Sequence, residues 1–215
     1  MLRGCILTAK SAKKREKDWI DKEMKNVIIL GASGNIAEHV IDLLVKRDDI
    51  NLTLFLRNAR RLRNKDVSKC RIVEGNVLDY TQLRKAIAGQ DIVYANLSGD
   101  LEAMAKNIVK AMNEEGVKRV IFISSIGIYD VPLRPVLKPY RKAADVIEAS
   151  GLEYTVLRPT WFTDEDEVDY ETTRKGEPEK GSVVSKKSLA TLIAKIIENP
   201  DNFVRESLGV NKPNS

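Results

Sequence analysis

An apolar run that breaks at glycine and resumes with a new spacing constrains the fold of this chain more than any other feature. The stretch is NVIILGASGNIAEHVIDLL, residues 26–44. Its first part, residues 27–30, is β-branched and aliphatic throughout, as in strands buried on both faces of a parallel sheet. After Gly34 the apolar residues recur at helical spacing, at Ile36, Val40 and Leu44. The stretch predicts a strand, a tight glycine turn and a helix.

Apolar runs and amphipathic segments alternate along the rest of the chain. Strands are predicted at residues 26–30, 52–56, 71–74, 91–95, 119–124 and 153–157. Helices are predicted between and after them, at residues 34–47, 59–63, 79–88, 100–115, 139–150 and 186–198. Asp79 with Gln82 has the pattern of a capping box, and Gly151 is typical of a helix end. Repeated βα units of this kind predict an α/β fold with a doubly wound parallel sheet.

Composition limits the number of cores and the kinds of site. The 215 residues are 43% hydrophobic and 31% charged, which suits one sizeable core. Two cysteines far apart in sequence and a single histidine argue against a disulfide framework and a zinc site, so no metal is expected. No apolar run approaches the roughly 18 residues of a membrane span. We therefore expect a cytoplasmic protein with no membrane partner.

The net charge of +5 is concentrated at the N-terminus. Residues 1–25 hold eight basic and four acidic side chains, so residues 26–215 carry a net charge of only +1. We interpret residues 1–25 as a basic extension, a solvated leader or start-site extension, and a nucleic-acid partner is not expected. The alternative is an arm that binds acidic partners.

The glycine turn predicts an anion site. In a doubly wound sheet, the first strand-to-helix turn lies where the strand order reverses, and nucleotides bind in that crevice. Gly31 permits the turn, Gly34 lets the backbone approach a pyrophosphate, and Ala37 lets the helix pack closely on the strand. The helix N-terminus then directs free N–H groups at the phosphates. In this context the G-x-x-G-x-x-A pattern predicts dinucleotide binding.

Six segments, in order, resemble one known family. They are ILGASGNIAEHV, RIVEGNVLDYTQL, DIVYANLSG, VIFISSIGIYD, SGLEYTVLRPTWFTDE and VVSKKSLATLI. Together they resemble the atypical short-chain dehydrogenases of the NmrA-like, NAD(P)H-binding group. The resemblance implies one Rossmann-type domain over residues 26–215, with residues 159–215 contributing a small substrate lobe.

The resemblance also implies a set of cofactor-binding residues. Gly31, Ser33, Gly34, Asn35 and Ile36 match the phosphate loop. The remaining matches are the adenine-side pair Asn76 and Val77, the ribose-side turn Asn96, Leu97 and Ser98, and Ser124 at the end of the fifth strand. The family more often has Asp where this chain has Asn76, and the turn at residues 96–98 has a purely structural alternative.

An arginine cluster follows the second strand. A Rossmann domain that prefers NAD usually has an acidic residue here, which binds the ribose 2′-hydroxyl. This chain has no carboxylate in the segment LFLRNARRLR, but it has Arg57, Arg60 and Arg61. Guanidinium groups suit a 2′-phosphate, so we expect NADP(H) to be preferred over NAD(H). The alternative is a solvated basic loop.

The catalytic residues match the family only in part. Short-chain dehydrogenases use a Ser or Thr, a Tyr and a Lys four residues after the Tyr. Ser125 matches the serine, and Tyr140 is the nearest tyrosine, but Ala144 stands where the lysine is needed. No Y-x-x-x-K pattern occurs in the chain, so the usual proton relay is absent.

Three further features have two interpretations each. His39 is expected on a helix flank rather than as a general base. Six carboxylates in residues 164–171 favour a charged, solvated lid over a cation site, because they lack EF-hand spacing. Trp161 and Phe162 either wall a nicotinamide and substrate pocket or pack the C-terminal lobe.

Two functions therefore stay open. The first is an NAD(P)H-dependent oxidoreductase that acts on a small-molecule substrate. The alternative is a non-catalytic NADP(H)-binding redox sensor that regulates a partner protein. Fold alone does not decide between them.

Overall fold

A central sheet of eight strands forms the body of the protein. The computed structural model describes residues 24–62 and 66–215. In chain order the strands of this sheet are β1 (Lys25–Leu30), β2 (Ile50–Leu56), β3 (Arg71–Glu74), β4 (Ile92–Ala95), β5 (Arg119–Ile123), β6 (Glu153–Pro159), β8 (Glu171–Arg174) and β10 (Glu206–Asn211). Their order across the sheet is β3-β2-β1-β4-β5-β6-β10-β8. All neighbours are parallel except β8, which is antiparallel to β10.

In the part of the chain that the structure describes, five helices and two short 3₁₀ turns flank or connect the strands. The helices are α1 (Asn35–Leu44), α2 (Tyr80–Ile87), α3 (Leu101–Glu115), α4 (Lys138–Glu148) and α5 (Lys186–Glu198). The 3₁₀ turns are Ala59–Leu62 and Pro135–Leu137. No helix in residues 24–62 and 66–215 is long and apolar enough to cross a membrane.

The sheet divides the core into two apolar layers. Val27 and Ile29 of β1 belong to the layer that contains α1 and α5, and Ile28 and Leu30 belong to the layer that contains α2, α3 and α4. All four side chains are fully buried. Burial on both faces explains why β1 is a continuous apolar run, and the predicted doubly wound α/β fold is confirmed.

Residues 159–215 are divided between the main sheet and a smaller one. β8 and β10 extend the main sheet, and α5 packs against α1. Two short strands, β7 (Trp161–Thr163) and β9 (Val183–Ser185), pair in parallel as a second sheet. The substrate-lobe role of this segment stays a prediction.

The structure differs from the sequence-based expectations in two respects, the end of the N-terminal extension and the presence of four further strands. The predicted basic extension lies outside the described residues up to position 23, and Lys25 begins β1, with its Nζ donating to the Glu198 carbonyl at 3.1 Å. The sequence patterns also do not predict β7 to β10. These four strands are short or polar, as in ETTR and ESLGVN, so they lack the apolar signal of a buried strand.

Candidate functional site

The turn between β1 and α1 is built by close backbone contacts. Gly31 has φ +81°, and a Cβ there would lie 2.1 Å from the Asn96 carbonyl oxygen. The Gly31 N–H donates to the Phe55 carbonyl at 2.9 Å, and the Gly34 N–H donates to the Gly31 carbonyl at 2.9 Å. A side chain at position 31 would therefore push β1 away from the segment that follows β4.

Helix α1 begins without a side-chain cap. Gly34 occupies the N-cap position and provides no side-chain acceptor for the first turn. In contrast, Asp79, Asp100 and Ser185 each accept a backbone N–H at the start of α2, α3 and α5. The N-terminus of α1 thus keeps backbone donors and the positive end of its dipole available to an anion.

One cleft of about 400 Å³ lies beside this helix N-terminus. It opens where the strand order reverses between β1 and β4. Its lining residues are Gly31, Ser33, Gly34, Asn35, Ile36, Phe55, Leu56, Arg57, Arg61, Gly75, Asn76, Val77, Asn96, Leu97, Ser98, Met104, Phe162 and Lys186. The set contains every residue predicted to bind cofactor except Ser124.

Ser124 has a different environment. Its side chain is buried, its N–H donates to the Leu157 carbonyl at 2.7 Å, and its hydroxyl donates to the Tyr140 carbonyl at 3.5 Å. These contacts tie the end of β5 to β6 and α4. The cofactor-binding role of Ser124 stays a prediction.

The β2 end of the cleft is cationic. Arg57 and Arg61 line it, whereas Arg60 does not, and all three side chains are exposed. In residues 24–62 and 66–215, no carboxylate forms an ion pair with any of them. The nearby Glu74 instead accepts the Ala59 N–H at 2.6 Å, which helps to fix the arginine-bearing turn. Within the described residues, the two guanidinium groups that line the cleft are therefore not paired with a carboxylate.

Asn76 follows β3 and lines the cleft, where its hydrogen bonds are local. Its N–H donates to Gln82 Oε1 at 3.1 Å, and its Oδ1 accepts the Leu78 N–H at 3.1 Å. Val77 beside it is buried and lines the cleft. The Asn76 side chain thus holds the turn before α2 and presents Val77 as an apolar surface.

Two lining residues come from the far end of the chain. Phe162 lies on β7, and Lys186 is the first residue of α5. Phe162 lines the cleft, but the more exposed Trp161 does not, and the role of the two residues in walling a nicotinamide and substrate pocket stays a prediction. Sequence reasoning missed Lys186 entirely, because only the packing of α5 against α1 brings it to the glycine turn.

The predicted catalytic residues do not line this cleft. Ser125 and Tyr140 are half-buried, and the Ser125 hydroxyl donates to the Ile126 carbonyl at 3.2 Å. Ala144, at the position where the family lysine would stand, is fully buried. The catalytic roles of Ser125 and Tyr140 stay predictions.

A separate polar cluster surrounds Tyr129. Its hydroxyl donates to Glu148 and lies 3.0 Å from Ser207 Oγ, and Glu148 also pairs with Lys175 at 2.6 Å. Burial, and then the hydrogen bond to Glu148, raise the pKa of the Tyr129 phenol well above its usual range. Tyr129 is therefore a protonated hydrogen-bond donor at neutral pH.

The buried guanidinium of Arg158 adjoins this cluster, lying 5.1 Å from the centre of the Tyr129 ring. It forms an ion pair with Glu179, whose other oxygen accepts the Gly127 N–H at 2.9 Å. The pair joins β6 to the segment between β8 and β9.

The acidic segment after β7 is paired with lysines. Asp164 contacts Lys186 at 2.5 Å, Asp166 contacts Lys187 at 2.6 Å, and Glu167 contacts Lys212 at 2.8 Å. These pairs favour the interpretation of a charged surface segment. His39 is exposed on α1, on the helix flank where it was expected.

The fold and the cleft define an α/β protein of the Rossmann type with a cleft at its topological switch point. A family model described as "NAD(P)H-binding" matches residues 31–200. The chain therefore belongs to this NAD(P)H-binding family, and the resemblance to atypical short-chain dehydrogenases is confirmed at that level.

Solved structures of NAD(P)-binding proteins are also similar to this chain. A Rossmann-fold NAD(P)-binding family protein from Shigella flexneri is 49% identical, with a TM-score of 0.83 over 90% of this chain and 96% of that chain. A short-chain dehydrogenase/reductase from Veillonella parvula, in complex with NADP, is 26% identical, with a TM-score of 0.77 over 88% of this chain and 95% of the other.

Curated relatives are more distant. An isoflavone reductase homologue, A622, from Nicotiana glauca is 26% identical over 160 residues, which are 67% of this chain and 51% of the relative. The chain thus spans about half the length of that relative. An uncharacterized sugar epimerase, YhfK, from Bacillus subtilis is 28% identical over 195 residues, 80% of this chain and 90% of the relative.

Proposed function

We propose that the protein is an NADPH-dependent oxidoreductase that reduces a small organic acceptor. The observation that carries the proposal is the cleft itself, which combines the uncapped N-terminus of α1, the glycine turn and two arginines without ion-pair partners in the described residues. Reductases among the similar proteins support the reaction class, and the Veillonella structure supports NADP as a ligand for this fold.

The residues present fit a dinucleotide. A Cβ at Gly31 would meet the Asn96 backbone, and one at Gly34 would lie 2.5 Å from Asn96 Nδ2, so the packing of the turn on Asn96 requires glycine at both positions. Glycines in this turn leave the backbone open to a pyrophosphate. The first turn of α1 would hold the pyrophosphate, Val77 would contact the adenine, and Arg57 and Arg61 would bind a 2′-phosphate. A bound NADPH supplies the hydride.

The proton that the reduced acceptor needs must come from a source other than the Tyr and Lys relay of the short-chain dehydrogenases. Ala144 stands where the lysine of the usual relay is needed, and Tyr129 is held protonated by burial and by Glu148. We therefore propose that Ser125 hydrogen-bonds the acceptor oxygen and that solvent provides the proton.

Cofactor preference is tested with Arg57→Ala and the matched control Arg60→Ala. Both arginines are exposed on the same turn, but only Arg57 lines the cleft. Losing a charge-assisted hydrogen bond costs about 1.5–3 kcal/mol, so Arg57→Ala is expected to weaken NADP⁺ binding at least about tenfold and to leave NAD⁺ affinity unchanged. Calorimetric titration of both cofactors measures this. Equal losses for Arg57→Ala and Arg60→Ala would contradict a 2′-phosphate contact.

Activity is tested by following NADPH oxidation with quinones, flavins, aldehydes and ketones. At least one acceptor is expected to be reduced, and Ser125→Ala is expected to slow the reaction about a hundredfold, as for other donors to a developing oxyanion. Ser68→Ala, an exposed serine after β2, is the control. Tight NADPH binding with no acceptor reduced would favour the alternative of a redox sensor that acts on a partner protein.

A further inference from the structure

Lys186 brings a third cation to the lining of the cleft, in addition to Arg57 and Arg61. It is the first residue of α5, its side chain is 20% exposed, and it lines the cleft together with Ser33, Gly34 and Asn35. Helix α5 packs against α1, and this packing brings Lys186 to the cleft that the uncapped start of α1 also lines. Lys186 and the backbone donors at the start of α1 therefore share one cleft.

The ion pair that Lys186 makes is one that a ligand can replace. Its Nζ lies 2.5 Å from Asp164 Oδ1, but the Asp164 side chain is 84% exposed. Exposed ion pairs contribute little because solvent screens them. A phosphate beside a helix N-terminus offers the same ammonium a more highly charged partner in a less solvated place.

We propose that Lys186 binds the pyrophosphate of the dinucleotide, exchanging the Asp164 carboxylate for phosphate oxygens when the cofactor enters. This inference rests on the proposed function, because it requires that the cleft hold NAD(P). It assigns the C-terminal segment a direct part in cofactor binding, in addition to any contact with substrate. Phe162, which lines the cleft beside it, supplies an apolar surface on the same wall.

A pyrophosphate contact has a different signature from a 2′-phosphate contact. NAD and NADP share the pyrophosphate, so loss of Lys186 should weaken both cofactors by the same factor. Loss of Arg57 should weaken NADP alone. The fragment 2′-AMP carries the 2′-phosphate without the pyrophosphate, so its affinity should not depend on Lys186.

The chain contains a matched control for this experiment. Lys187 forms an equivalent ion pair with Asp166 at 2.6 Å, and that carboxylate is 89% exposed. Both lysines line a neighbouring pocket beside His39 and Asp42, but Lys187, unlike Lys186, does not line the cleft. Lys186→Gln and Lys187→Gln therefore remove the same charge and the same kind of ion pair one residue apart.

The test is calorimetric titration of NADP⁺, NAD⁺ and 2′-AMP into full-length protein. Lys186→Gln is expected to weaken both dinucleotides about tenfold and to leave 2′-AMP unchanged, and Lys187→Gln is expected to leave all three unchanged. Lys186→Arg should restore binding, because it keeps the charge. Unchanged dinucleotide affinity in Lys186→Gln, with wild-type protein binding NADP⁺, overturns this inference and spares the proposed function.

A second variant keeps the inference testable if Lys186→Gln fails to fold. Asp164→Asn removes the competing carboxylate and should tighten NADP⁺ and NAD⁺ binding several-fold, whereas Asp166→Asn should not. Equal effects of the two asparagine variants would overturn the exchange. Wild-type protein that binds neither dinucleotide would overturn the proposed function and this inference together.

Discussion

Gly31 and Gly116 have similar left-handed backbones and very different surroundings. Their φ angles are +81° and +73°, but a Cβ at Gly31 would lie 2.1 Å from the Asn96 carbonyl oxygen, whereas a Cβ at Gly116 would have no atom within 4 Å. The Asn96 backbone cannot move freely, because its N–H donates to the Leu30 carbonyl at 3.0 Å. Substitutions at the two glycines therefore distinguish the cost of a left-handed backbone from the cost of a steric overlap.

This pair gives a prediction for stability. Each Gly→Ala change should cost about 1–2 kcal/mol for the left-handed conformation alone. Gly31→Ala should cost at least about twice as much as Gly116→Ala, because it adds an overlap with backbone that cannot relax. Urea denaturation of both variants measures the difference. Similar unfolding free energies would mean that the contact between the β1 turn and Asn96 relaxes easily.

Among the secondary-structure elements, β5 carries a buried cation at its first residue. Arg119 donates to the carbonyls of Pro200 at 2.6 Å, Glu153 at 2.7 Å and Asn202 at 3.0 Å, and to Thr155 Oγ1 at 2.8 Å. Burial lowers the pKa of Arg119 to about 10, so the side chain is still charged at neutral pH. Arg119 therefore holds the segment between α5 and β10 against the first residues of β5 and β6.

Replacing this side chain should destabilise the protein strongly. Arg119→Met removes the donors for several buried carbonyls and should reduce the free energy of unfolding by about 3 kcal/mol. The control is Lys118→Met on the exposed neighbouring side chain, with an expected change below about 0.5 kcal/mol. Denaturant titration compares the two variants, and equal stabilities would show that water replaces the Arg119 hydrogen bonds at no cost.

The same elements show how far sequence reasoning reaches. The apolar runs predicted the buried strands β1, β2, β4, β5 and β6, since strands covered on both faces need largely apolar residues, and β3 was predicted although it is mostly exposed. The glycine pattern and the resemblance predicted the lining residues that follow β1, β2, β3 and β4. Lys186 and β10 were beyond prediction, because their positions depend on the packing of α5 on α1 and on pairing with strands distant in sequence.

At the scale of the whole molecule, the cleft is shared by two distant parts of the chain. Residues 31–104 supply most of its lining, including the glycine turn and the arginines, and Phe162 and Lys186 complete it from the other side. The acidic segment between β7 and β8 contacts the lysines at the start of α5. Changes in that segment should therefore alter the part of the cleft that Lys186 lines.

The position of β10 between β6 and β8 has a consequence for the order of folding. In the described residues β8 pairs only with β10, although β8 precedes β10 by more than thirty positions in the chain. β8 therefore cannot join the sheet until β10 has docked on β6, whereas β1 to β4 can assemble from residues 25–95. Pairings between distant segments form slowly. A refolding chain would thus build the dinucleotide half of its sheet early and acquire β8 last.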